Sequence, residues 1–244
     1  FEMIYGYFTV PRIDTDIFQS SIAKVLSSME NREDDPSFVF GEGIRRTLYG
    51  DNIRRNSPSP AQIKTVDQDR ALAIYKERFA DASDFTFTIV GSITEEEIKP
   101  YLEQYIATLP ALNRNETAKD LGIKEPAKGV ELVVKKGKEA KAQVALLYAG
   151  DFDYSEQEKL NFQALESALS IKLLERLRED ESAVYGVGAR GSNSKNPSPR
   201  YNVQISFGTS IDKYPTLIKS ALDEVNKIKK EGPTQGDLDK FLIE

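Results

Sequence analysis

Ser155-Glu-Gln-Glu-Lys-Leu-Asn-Phe-Gln-Ala-Leu-Glu-Ser-Ala-Leu-Ser-Ile-Lys-Leu-Leu-Glu-Arg-Leu-Arg-Glu-Asp-Glu-Ser-Ala-Val-Tyr-Gly-Val-Gly188 changes its hydrophobic period once along its length. Leu160, Ala164, Leu165, Ala168, Leu169, Leu173 and Leu177 recur every three or four residues, which lines them along one face of a helix. Ser155 and Glu158 form a capping box at its start. The helix ends in a charged cluster near Arg178, crosses a short turn and enters a strand bearing Tyr185. Further on, Tyr201-Asn-Val-Gln-Ile-Ser-Phe207 alternates with the two-residue period of a strand. An amphipathic helix followed by half-buried strands makes this part of the chain α+β.

Working outward, three more helices carry apolar stripes: Ile17 to Met29, Ile98 to Leu109 behind the capping box Thr94–Glu97, and Leu217 to Ile228. Phe85-Thr-Phe-Thr-Ile89 and Val130-Glu-Leu-Val-Val134 alternate as strands do, and the more continuous apolar run Gln143 to Ala149 predicts a strand covered on both faces. Between them, Leu109 to Val130 has no period and holds Pro110, Gly122, Pro126 and Gly129, the composition of a linker. Residues 1–112 and 129–244 are therefore expected to be separate packed parts, with 113–128 joining them. A weak internal repeat relates them. Tyr7-Phe-Thr-Val-Pro-Arg-Ile-Asp14 and Ser206-Phe-Gly-Thr-Ser-Ile-Asp212 each read as a strand and turn leading into a helix.

Composition excludes several chemistries. The 244 residues contain no histidine and no cysteine, so a Ser-His-Asp triad, a thiolate nucleophile and a His- or Cys-ligated metal have no residues to build them. With 39 acidic and 33 basic side chains the net charge is −6, which gives no positive field to hold a nucleic acid or an anionic membrane. No apolar run reaches the ~20 residues of a membrane span. The opening at Phe1 and the helix-like ending without a stop signal read as a piece of a longer polypeptide.

Gly186-Val-Gly188-Ala-Arg-Gly191 satisfies the spacing of a dinucleotide-binding loop, but Ser192-Asn-Ser-Lys-Asn-Pro-Ser-Pro199 follows it where that chemistry needs a helix N-terminus. Glycines in a strand mark a close backbone approach instead. Arg178 and Tyr185, seven residues apart across the helix-to-strand junction, could bring a guanidinium and a phenol to one rim of the sheet as two donors for a carbonyl oxygen. The same pair also fits a purely structural reading, in which the arginine balances helix-end carboxylates and the tyrosine is half-buried.

Arg178-Glu-Asp followed by Val184-Tyr185-Gly-Val187 resembles the R-E-K-x-G-L-x-Y-S-V stretch of the pitrilysin and insulinase zinc peptidases, with Asp180 where Lys is usual and Ser182-Ala183 where Gly-Leu is usual. Leu48-Tyr49-Gly50, Ile74-Tyr75-Lys-Glu-Arg-Phe79, Phe85 to Ser92, the exit Leu109-Pro110 and Gly232-Pro-Thr-Gln-Gly-Asp-Leu238 resemble further motifs of that family in the same order. The bacterial members are the most similar. The resemblance implies parts of two homologous units, each a sheet plus helices: 1–112 the rear of one, 113–128 a linker and 129–244 the front of the next. It also implies that zinc is held by an H-x-x-E-H motif elsewhere in the parent protein, not in this chain. By itself this piece would then be inactive. Its partners would be the N-terminal zinc-binding half of the same polypeptide and a peptide substrate contacted by Arg178 and Tyr185, and its compartment the periplasm. The family also contains metal-free scaffold subunits, and that is the alternative role.

Overall fold

A computed structural model of the chain describes residues 1–184 and 186–243; Tyr185 and Glu244 lie outside the described residues. The chain divides into two compact units, Phe1–Thr117 with Pro126–Lys136, and Ala118–Glu125 with Gly137–Glu244.

The first unit is helical: α1 (Glu2–Thr9), α2 (Thr15–Ser28), α3 (Pro36–Tyr49), α4 (Pro60–Lys64), α5 (Gln68–Phe79) and α6 (Glu95–Tyr101). Every start after α1 is set by a side-chain cap, and the box at Thr94 is the one the sequence predicts. The Asp14 carboxylate accepts from the Ile17 amide at 3.0 Å, and Thr94 and Glu97 close both bonds of their box. From Leu102 to Ile106 α6 widens into a π-helical turn, in which the Ala107 amide donates to the Leu102 carbonyl at 2.8 Å. Two features hold the unit together. Phe8 stands edge-on to Phe79 and Phe85 at 5.0 and 4.9 Å. The buried Asp81 carboxylate accepts from the amides of Ser83, Leu112 and Arg114 at 3.1, 2.8 and 2.7 Å.

Here the structure corrects the sequence reading in two ways. Tyr7 to Thr9 is the last turn of α1, not a strand, because Phe8 is drawn into the aromatic cluster; the match to Ser206–Asp212 does not extend to local structure. Phe85–Ile89 and Val130–Val134 join no sheet, since no described strand outside the second unit offers them a ladder partner. Alternation marks which side chains would share a face, but a strand also needs a neighbouring backbone.

The second unit is α+β: β1 (Lys141–Asp151), α7 (Glu156–Leu174), β2 (Val187–Ser194), β3 (Arg200–Ser210), α8 (Tyr214–Glu231) and α9 (Gln235–Ile243). The strands form an antiparallel sheet in the order β1-β3-β2. Register pairs Val144 with Phe207, Leu146 with Ile205 and Tyr148 with Val203, so one face is apolar. On it pack Leu169, Leu173 and Leu177 of the α7 segment and Leu217 and Ala221 of α8. Burial in β1 alternates along the strand, with Leu147 on the exposed face, so the expectation of cover on both faces is replaced by one-sided cover.

Glycine at 191 permits the helix-on-sheet contact. A Cβ there would run into the ring of Phe162 on α7, which is the close approach read from the sequence. The outer edge of β2 is managed by α7 too. The Ser170 hydroxyl donates to the Ala189 carbonyl at 3.0 Å and accepts from the Ala189 amide at 3.1 Å, satisfying both groups that an edge strand leaves open.

Candidate functional site

The site grows out of the C-terminal end of α7. After Leu174 the helix widens into a π-helical turn, Glu175–Asp180, in which Leu177 keeps its place in the core. One residue on, Arg178 is exposed. π-turns shift the residues after them relative to an α-helix and recur at functional sites.

Several charges around the turn are paired. Lys172 Nζ lies 3.0 Å from Glu175 and 3.2 Å from Asp237; the Glu175 carboxylate, acting against burial, holds the ammonium above its usual value. Burial pushes the Asp237 carboxyl up, but the Thr234 hydroxyl and amide and the Lys172 ammonium outweigh it and keep the group below its ordinary range. Thr234 caps α9 through the same carboxylate, donating from its amide at 3.0 Å and its hydroxyl at 2.6 Å. This is the physical content of the Gly232-to-Leu238 motif: it starts a helix and fastens that helix to α7. Arg176 Nε lies 3.1 Å from Glu181. Among the described residues Arg178 takes part in no ion pair, and neither do its neighbours Glu179 and Asp180.

The turn between helix and strand is pinned at several points. The Ser220 hydroxyl donates to Glu181 at 2.6 Å, the Ala183 amide donates to the Leu177 carbonyl at 3.3 Å, and the Thr209 hydroxyl donates to the Ala183 carbonyl at 2.9 Å. Ser182 sits between them at φ 47°, in the left-handed region. A glycine takes that conformation without steric cost, which explains why Gly is usual at this position of the motif. Val184 is buried in the core, and Tyr185, the other residue singled out from the sequence, lies outside the described residues. Sequence reasoning passed over Glu181, Ser220 and Thr209. Glu181 is one acid in an acidic cluster, and its partner is 39 residues away.

The family described as "Peptidase M16 inactive domain" matches residues 65–242. This chain belongs to that family. It is 26% identical over 231 residues to the zinc protease PQQL-like of Arabidopsis thaliana, covering 88% of this chain and 24% of the relative. With the probable zinc protease PqqL of Escherichia coli it shares 21% over 243 residues, covering 99% of this chain and 26% of the relative. The crystal structure of the periplasmic protease PqqL from Escherichia coli superposes with a TM-score of 0.82 at 20% identity, over 94% of this chain and 25% of that one. The M16 domain described here thus spans about a quarter of the length of these proteins. The pitrilysin and insulinase resemblance read from the motifs is confirmed, and so is the α+β class.

The zinc implied by these names does not fit this domain. It has neither His nor Cys, and among the described residues no three Asp or Glu side chains converge as a metal site. No described helix is long and apolar enough to cross a membrane.

Proposed function

We propose that this M16 domain is the substrate-enclosing, non-catalytic C-terminal portion of a zinc metalloendopeptidase, whose metal is bound by the N-terminal half of the same polypeptide. The observation that carries the reading is Arg178, exposed and, among the described residues, without an ion-pair partner, on a turn whose backbone is tied into the core. A backbone anchored in that way fixes where the Arg178 side chain projects, and a donor placed toward a peptide carbonyl stabilises charge developing on that oxygen. Tyr185, next to the anchored Val184, supplies a second donor. The periplasmic setting of the similar Escherichia coli protease supports the same compartment here.

The boundaries 1–112, 113–128 and 129–244 belong to this proposal, as rear unit, linker and front unit. The alternating segment Phe85–Ile89, which joins no described sheet, supports a rear unit whose remaining strands come from elsewhere in the parent.

In the full-length protein, Arg178→Ala and Tyr185→Phe are each expected to lower kcat/KM by roughly 10² to 10³ while zinc content and melting temperature hold. Wild-type kcat/KM in both variants contradicts the assigned contacts. A full-length protein that hydrolyses no peptide favours the metal-free scaffold role instead.

A further inference from the structure

Glu181 occupies the position that the family motif leaves unspecified, between Asp180 and Ser182. Its carboxylate accepts the 2.6 Å hydrogen bond from Ser220 and faces Arg176 at 3.1 Å. Ser220 is itself buried, on the face of α8 that also carries Leu217 and Ala221. A hydroxyl there would otherwise bond back to its own helix or go unsatisfied. It reaches instead to the turn at the end of another helix, and a hydrogen bond to a charged acceptor is stronger than one between neutral groups.

The tie acts on the turn that carries Arg178. The Glu181 amide closes the π-turn on the Arg176 carbonyl at 3.3 Å, so Arg178 lies inside a loop whose closing residue is the one held by Ser220. On the other side of the strained Ser182, Ala183 is fixed by Leu177 and Thr209. A turn free to rock would spread the Arg178 guanidinium over many positions; a turn held on both sides narrows them by fixing the backbone from which the side chain projects.

We propose that Glu181, braced by Ser220, is a positioning residue that orients Arg178 toward the substrate carbonyl; this rests on the role proposed above for Arg178. In the full-length peptidase, Glu181→Ala is expected to lower kcat, more than it raises KM, by about 10-fold to 100-fold with zinc content unchanged. The double variant Arg178→Ala/Glu181→Ala should be no slower than Arg178→Ala alone, because the brace then has nothing left to orient. Glu181→Gln keeps an acceptor for the Ser220 hydroxyl and should retain most of the activity. Effects that simply add in the double variant, or wild-type kcat in Glu181→Ala beside a slow Arg178→Ala, overturn the positioning role and leave the Arg178 contact standing. Arg178→Ala at the wild-type rate, or a full-length protein with no peptidase activity, overturns both. If Glu181→Ala folds poorly, Ser220→Ala carries the same cycle, since it removes the brace and leaves the carboxylate its Arg176 partner.

Discussion

The two units solve the same problem, covering amphipathic helices, with different means. In the second unit Leu173, Leu177 and Ala221 are fully buried against a sheet. In the first, Ile17 of α2 and Ile74 of α5 remain 64% and 44% exposed, and no described strand lies over them. An apolar stripe stabilises a helix only when something covers it, at about 1.5 to 3 kcal/mol for a fully buried aliphatic side chain. The second unit therefore has its own core. The first depends on an aromatic cluster around Phe8 and on polar locks such as Asp81. The Arg178 turn stands on the unit with the stronger packing, which suits the donor role proposed for it.

Truncation should break this contrast most visibly. Leu173→Ala, at a fully buried position, is expected to cost about 2 to 5 kcal/mol, whereas Ile17→Ala should stay within about 0.5 kcal/mol. Denaturant unfolding of the two variants measures both, and equal losses would remove the distinction. A smaller effect should come from Gly191→Ala, where the new methyl meets Phe162; forcing the helix off the sheet costs about 1 to 3 kcal/mol. Adding Phe162→Leu should recover part of it, since the obstacle is that ring.

Ser182→Gly sharpens the contrast from the other direction. It removes a side chain from a left-handed backbone position and is expected to stabilise the second unit by about 1 kcal/mol, seen as a raised melting temperature. An unchanged or lowered value would mean the turn is not strained there.

Acid tests the locks. Burial pushes the Asp81 carboxyl up, but the Ser83 hydroxyl and the Arg114, Leu112 and Ser83 amides outweigh it and hold the group well below its usual range. A folded-state value below the unfolded one, about 3.9 for Asp, adds stability that is complete at neutral pH and is lost as pH falls below about 4. Limited proteolysis near Leu112 to Arg114 should therefore speed up below about pH 4 and not between pH 7 and pH 5. Asp81→Asn should show the faster cutting already at neutral pH.

Much of this was legible in the sequence where the cause is local. The spacing of Leu160 to Leu177, the caps at Thr94 and Ser155, and the alternation of Val203, Ile205 and Phe207 each act within a few residues, and each predicted its element. Tyr7 to Thr9 was not legible, because residues with strand propensity were overridden by the packing of Phe8 against rings about 70 residues away. In the candidate site, the motif singles out Arg178, but the tie between Glu181 and Ser220 is not readable from it. Nothing in Glu179-Asp180-Glu181 distinguishes the acid that reaches α8 from those that face solvent. Pairing of that kind exists only once the helices are packed.

As proposed, this domain shapes a peptide site and supplies no metal chemistry of its own. The most direct test of that role is the zinc content of the purified chain together with its action on a fluorogenic peptide. Far less than one zinc per chain and no hydrolysis are expected; stoichiometric zinc with chelator-sensitive cleavage would contradict the proposed role.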